Sequence, residues 1–367
     1  MELLLKTVKV LVLTKYGRLG ASSRMRSLQY LPWFEQAGLQ VTVHPLLSDE
    51  FLSFRYQQGT YSLWSLLKAY ARRLCALMAR QQFDVVWIEK EALPWWPLWL
   101  ELVLLRGVPY VLDYDDAIFH NYDHHANSWV RRLFGRRLDG LMAQATVVVG
   151  GNNYLVQRAR DAGAPWVEVV PTVIDLARYP SQPQTLVEPP INVGLPRVVW
   201  IGSPSTVRYL QLIREHLQAL AARQPFVLRV IGGGAVNLPG VQLEVVAWTE
   251  ASEVENISAC QVGVMPLLDS VWERGKCGYK LIQYMACSLP VVASGVGVNS
   301  EIVRHGENGF VANTADEWVT ALDKLLQSPS LRRQMGAAGR HRVENEYCIQ
   351  KTGPRTAQLL RLAARKR

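Results

Sequence analysis

The stretch GKCGYKLIQYMACSLPVV, residues Gly275 to Val292, decides how this chain is read. Gly275 and Gly278 permit backbone conformations barred to other residues and let the chain come close to a ligand. Lys276 lies in that loop. Lys280 opens a short helix, and Gln283 follows one turn later on the same side. Leu281, Ile282, Tyr284 and Met285 supply the helix's apolar face, Leu289-Pro290 ends it, and Val291-Val292-Ala293 reads as a buried strand. A helix N-terminus carries unpaired N–H groups and a partial positive charge, so cations placed there run against the dipole. A local choice that works against stability marks a functional position. Loop, helix start and two lysines together make an anion site. Each charge-assisted hydrogen bond to a phosphate there contributes ~1.5–3 kcal/mol.

Outward from this stretch, strand-like and helix-like runs alternate. The first half offers KVLVLT, VTVHPL, FDVVWIEK, PYVLDYDD and ATVVVGG, each short, apolar and rich in β-branched residues. After Pro180 the pattern breaks: PSQPQTLVEPPINVGLP holds five prolines and no periodicity, as a linker would. The alternation then restarts with RVVWIGS, a helix over TVRYLQLIREHLQALAAR, FVLRVIGGG, VQLEVVAW and QVGVMPLL. Strands feeding helices in this order predict α/β architecture: two Rossmann-like domains with parallel sheets facing a cleft, ligands binding at the carboxyl ends of the strands. The expected division is residues 1–180, a linker over 181–196, residues 197–345, and a C-terminal helix over 346–367 packing back on the first domain.

Composition narrows the class. Of 367 residues, 49% are hydrophobic and 19% charged, which supports two cores and excludes a disordered chain. The net charge of +9 is spread over both halves, so no nucleic-acid-binding arm stands out. Five cysteines without CxxC spacing read as reduced thiols of a cytosolic protein. Glu101, Arg106 and two prolines interrupt the most apolar window, ALPWWPLWLELVLLRGVPYVL, which falls short of the ~20 apolar residues of a spanning helix. The segment Tyr61–Arg80 has helical periodicity, with Leu63, Leu67, Tyr70, Leu74 and Leu77 on an apolar stripe and Ser65, Lys68, Arg72 and Arg73 opposite. With Trp95, Trp96 and Trp99 it suits either a membrane surface or a domain core.

The residues WERGKCGYKLIQYMACSLPVVASGVGVNSEIV (272–303) resemble the donor-site segment of family 4 glycosyltransferases, group 1 retaining enzymes of the GT-B fold. ASSRMRSLQYLPWF, VLDYDDAIF, VPTVIDLARY and VVWIGSPSTVRYL extend the likeness over most of the chain. The resemblance implies a UDP- or GDP-linked sugar on the C-terminal domain and a glycan or lipid-linked acceptor hydroxyl on the other. It implies a hexosyl transfer with retention; a membrane role for the basic helix Tyr61–Arg80 and the tryptophans would put it in cell-envelope or exopolysaccharide assembly at the inner face of the plasma membrane.

Donor contacts implied by the likeness are Gly202, Ser203, Thr206, Arg208, Gly233, Trp248, Glu273, Lys276, Lys280, Gln283 and Val298. Gln283 and Gly275 stand where the family has two glutamates, with Glu273 close by. On the acceptor side the likeness points to Gly20, Ser22, Ser23, Arg24 and Arg26. The catalytic candidates are Asp115 and Asp116 for the acceptor hydroxyl and Lys280 for the leaving diphosphate. Three carboxylates in DYDD (113–116) repel, so at least one needs a raised pKa or a cationic partner. No obligatory metal is expected: His120 and His124 have helical i,i+4 spacing but no evident third ligand. A sugar-nucleotide epimerase and a non-catalytic nucleotide-sugar-binding subunit are the rival readings.

Overall fold

The structure, a computed structural model, describes residues 7–58, 62–180 and 194–366. Most of the expected linker therefore lies outside the described residues. The chain divides into two compact units. One comprises Met1–Thr172, Gly275–Cys277 and Ile349–Arg367; the other comprises Val173–Arg274 and Gly278–Cys348.

In the first unit the strands are β1 (Val8–Tyr16), β2 (Leu39–Leu47), β3 (Val85–Glu89), β4 (Tyr110–Tyr114), β5 (Val147–Gly150) and β6 (Val167–Val169). They form one parallel sheet in the order β2-β1-β3-β4-β5-β6. All five residues of both β3 and β4 are buried, as continuous apolar runs require when helices cover both faces. The order reverses between β1 and β3, which makes their carboxyl ends the crevice of this sheet. The last helix, Ile349–Ala364, also belongs here. Gly353 seats against the Trp33 ring, the hydroxyls of Thr352 and Tyr30 lie 3.0 Å apart, and Arg361 donates to the Ala37 carbonyl.

The second unit repeats the design with β7 (Arg197–Ile201), β8 (Val227–Ile231), β9 (Gln242–Val246), β10 (Val262–Met265), β11 (Val291–Ala293) and β12 (Gly309–Val311). The parallel order is β12-β11-β10-β7-β8-β9, with the reversal between β7 and β10. The opening stretch is built onto this reversal. The helix Tyr279–Ala286 lays Tyr284 over Gly263, where any Cβ would strike the ring. The Tyr284 hydroxyl accepts from Ile201 N (2.9 Å) and donates to the Val264 carbonyl (3.3 Å), tying the helix to both strands of the crevice. Behind it, helix Pro329–Glu346 brings Gly339 against Met285 and Gly336 against the Ser288 carbonyl, approaches a larger residue would block.

Two expectations change. The single helix over Thr206–Arg223 is a tight 3₁₀ segment, Val207–Ile213, followed by the α-helix Arg214–Ala221. Its apolar stripe of Tyr209, Leu210, Ile213, Leu217 and Leu220 is nevertheless continuous and buried. The helix Leu63–Met78 is rotated from its expected stripe: Leu63, Trp64 and Leu67 are exposed, whereas Ala69, Arg73, Ala76 and Leu77 are buried. Arg73 turns inward because two strand carbonyls receive it, those of Thr14 (2.5 Å) and His44 (3.0 Å).

Candidate functional site

In the second unit the strand ends present backbone and hydroxyl groups. Gly278 takes φ = 65° and leads into the helix Tyr279–Ala286, whose start has no side-chain cap. A Cβ at Gly278 would collide with Ile302, so space and conformation both demand glycine. The Lys280 ammonium lies 5.6 Å from the centre of the Trp200 ring. Gln283 and Val298 are buried. After β7, Gly202 leads into an exposed turn in which Ser203 N donates to Thr206 Oγ1 (3.1 Å) and the Ser203 and Ser205 hydroxyls meet at 2.8 Å. Arg208 is exposed, its guanidinium 5.4 Å from the Tyr209 ring centre.

After β8, Gly232 and Gly234 take φ of 74° and 70°, and Gly233 is buried beneath Trp200, Val207 and Val230. Trp248 is half-buried beside Gly232, and its indole N–H donates to Glu253 (2.7 Å). Glu273 is buried, accepting from the hydroxyls of Tyr209 (2.5 Å) and Ser270. These contacts bring Gly202, Ser203, Thr206, Gly233 and Trp248 to neighbouring strand ends.

The first unit carries charge at the equivalent place. Glu89, ending β3, accepts from Lys15 N (3.0 Å) and from the Ser23 hydroxyl (2.5 Å), bridging the β1/β3 reversal. Lys90 follows with φ = 67°, a left-handed conformation that costs a residue with a side chain about 1–3 kcal/mol. Its buried ammonium lies 2.9 Å from Asp115 Oδ1 and donates to Ser22 Oγ (2.9 Å). Ser22 in turn donates to Asp115 Oδ2 (2.5 Å). Arg26 is turned inward, where its guanidinium grips Asp113 through two bonds (2.9 and 2.5 Å) and reaches the Val170 carbonyl (2.8 Å). The DYDD carboxylates thus find cations: Arg26 for Asp113 and Lys90 for Asp115. Arg24 donates to the Arg18 carbonyl (2.9 Å). Gly20 packs against Tyr16, and the N–H groups of Arg18 and Leu19 bind the Asp49 carboxylate (3.1 and 2.9 Å).

Burial alone would raise the Asp115 pKa, but the Lys90 charge and the Ser22 hydroxyl hold it below the usual carboxylate range. Burial alone would lower Lys90, and Asp115 and Glu89 reverse that. For Arg73 burial outweighs the opposing charges of Glu89 and Glu101 and brings it down to about 10. Of the two candidate aspartates, Asp115 is spent on internal partners. Asp116 keeps 33% of its side chain exposed and has the Lys276 ammonium at 3.9 Å. Lys276 belongs to the same unit: Asn152 donates to its carbonyl (2.9 Å), and the Cys277 thiol donates to the Asp115 carbonyl (3.1 Å).

Sequence reasoning missed Glu89, Lys90 and Arg73. For the first two a signal was present, since FDVVWIEKE turns abruptly from a buried strand to consecutive charges. The expectation that His120 and His124 lack a third ligand is corrected: Asp123 joins them, with ligand atoms within 4.8 Å of one another. His120 and Asp123 are hydrogen-bonded as they stand, while His124 Nε2 lies 3.9 Å from Asp123. His120 Nδ1 meets Asp123 (2.7 Å), His120 Nε2 meets the Tyr154 hydroxyl (2.8 Å), and Arg158 takes the other Asp123 oxygen (2.9 Å).

Comparison with known proteins gives this arrangement its class. Residues 7–172 match the family described as "Glycosyl transferase 4-like domain", and residues 195–328 match "Glycosyl transferases group 1". Alpha-maltose-1-phosphate synthase of Mycolicibacterium smegmatis is 28% identical over 70% of this chain and 74% of its own. A GDP-mannose-dependent phosphatidylinositol monomannoside mannosyltransferase of the same organism is 27% identical over 59% and 62%. Among solved structures, sucrose-phosphate synthase from Thermosynechococcus elongatus superposes with a TM-score of 0.71, covering 97% of this chain and 98% of that one at 15% identity. The chain belongs to this glycosyltransferase superfamily, has the GT-B fold, and transfers a sugar from a nucleotide-diphosphate donor to an acceptor.

Proposed function

We propose that the enzyme is a retaining hexosyltransferase that uses a UDP- or GDP-linked sugar and glycosylates a glycan or lipid-linked hydroxyl in envelope or exopolysaccharide assembly, at the cytoplasmic face of the plasma membrane. The observation that carries this reading is the uncapped start of helix Tyr279–Ala286, entered through left-handed Gly278 and accompanied by Lys280 at the sheet reversal. Such a helix end suits a diphosphate, and its fixed dipoles stabilise the charge that grows as the sugar departs. The glycine-rimmed ends of β7 and β8 suit the nucleotide. Lys276 is the further positive charge in this reading, and Asp116, partly exposed, suits the orienting of an acceptor hydroxyl.

The lipid side of the proposal rests on the first unit. Leu63, Trp64 and Leu67 are 61–75% exposed beside Lys68 and Arg72. Separately, Leu98, Arg131, Arg132, Leu133, Arg136 and Arg137 line a groove of about 370 Å³, near exposed Trp129. Exposed aromatics among cations suit an anionic bilayer surface. Among the described residues no helix is long and apolar enough to cross a membrane. The mannosyltransferase relative bears a lipid acceptor in its name, and a Staphylococcus aureus relative, 35% identical over 71 residues, is a capsular polysaccharide glycosyltransferase.

Radiolabelled nucleotide sugars incubated with the protein and a membrane extract test the reading. Labelled lipid or glycan with release of nucleoside diphosphate is expected. An interconverted donor sugar would instead establish an epimerase, and binding without turnover a non-catalytic subunit. Flotation with anionic vesicles, absent with zwitterionic ones, is expected for the membrane contact.

A further inference from the structure

Lys90 has no part in the chemistry proposed above, yet the chain spends a strained backbone and a buried charge on it. Its ammonium has close oxygen partners on two separate segments, Asp115 after β4 and Ser22 at the start of helix Ala21–Arg26, each at 2.9 Å. Those two partners also bond each other, so three segments of the first unit close into a triangle. Glu89 Oε1 stands 3.9 Å behind the ammonium. The charged groups facing Lys90 are therefore Asp115, Glu89 and, more distantly, Asp116, while Arg26 also faces Asp115.

The triangle does not end at Asp115. Its carbonyl accepts from the Cys277 thiol, which anchors the segment Gly275–Cys277. A Cβ at Gly275 would come within 2.5 Å of Ala117, so the two loops lie in contact with no room for adjustment. Asp116 and Lys276 are partly exposed members of these loops. Where two reacting groups ride on loops, their alignment depends on what locks the loops, and small misplacements are expensive.

We propose that Lys90 is a positioning residue for sugar transfer: by clamping Asp115 to Ser22 it fixes the loop that presents Asp116 and, through Cys277, the segment that presents Lys276. This rests on the roles given to Asp116 and Lys276 above. Lys90→Met is the test, with Lys90→Gln carrying the same test should the first variant not fold, since its amide retains a donor. Per folded molecule, kcat is expected to fall on the order of 100-fold, with the donor KM moving by less than roughly threefold. Amide hydrogen exchange is expected to accelerate at 115–117 and 275–277 by more than the change in global stability accounts for. Unaltered protection at both segments overturns the clamp, as does a kcat loss that vanishes once the unfolded fraction is removed. The exchange readout needs no turnover. Failure of the wild-type chain to transfer any sugar would sink the functional reading and leave the clamp to be decided on its own.

Discussion

The two units place opposite chemistry on one scaffold. Both are parallel six-stranded sheets with a reversal next to the first strand. In the first, the carboxyl strand ends are packed with charge that satisfies itself: Arg26 on Asp113, Lys90 on Asp115, Glu89 across β1 and β3. In the second, the ends of β7 and β8 are glycines and hydroxyls, and the helix entered through Gly278 starts without a side-chain cap. The lesson is that similar topology fixes where a ligand goes and leaves open how. A charged lock gives a rigid wall, while glycine loops and helix starts leave N–H groups for a diphosphate.

This contrast can be broken by mutation, and the largest effect is expected in the lock. Arg26→Met leaves Asp113 buried without its cation and should cost about 3–5 kcal/mol of stability, read by urea denaturation. A comparable loss from Lys280→Met would erase the distinction, because Lys280 is expected to act on ligand affinity. The double variant Lys276→Met/Lys280→Met should weaken binding of UDP or GDP by roughly tenfold to a hundredfold, measured by titration calorimetry, with the unfolding midpoint hardly moved. Unchanged affinity would remove both lysines from nucleotide binding.

A smaller effect is expected at Gly278→Ala. The left-handed conformation costs an alanine about 1–2 kcal/mol, and the methyl group also meets Ile302. Thermal unfolding should register this, with donor affinity falling in parallel. The smallest effect is the acid response of the lock. Asp115 has a folded pKa below its unfolded value, so its contribution is complete above the unfolded pKa of about 3.9. That contribution disappears as pH falls through the folded pKa. Unfolding free energy followed down to about pH 2 should therefore decline less steeply in Asp115→Asn than in the parent.

Much of the scaffold was legible because it is written in local pattern. Runs such as VVWIE and VVWIG can only be strands buried on both faces, and Gly275–Val292 announces a loop, a helix and a strand in order. Charge partnership was not legible in the same way. DYDD signals that cations are needed, but nothing local says that Arg26 serves Asp113 and Lys90 serves Asp115, since those pairs form only once β1, β3 and β4 are adjacent. Helical periodicity misread Leu63–Met78 for the same reason. A cation facing a sheet is improbable until two strand carbonyls are there to receive it, as those of Thr14 and His44 receive Arg73.

The helix Ile349–Ala364 completes the first unit from the far end of the chain. A ribosome therefore releases that unit's strands first and its last covering element only after the second unit's strands have emerged. Until then Trp33 and Tyr30 lack the surface that Gly353 and Thr352 provide. The unit whose strands emerge first thus closes only after the strands of the other have emerged.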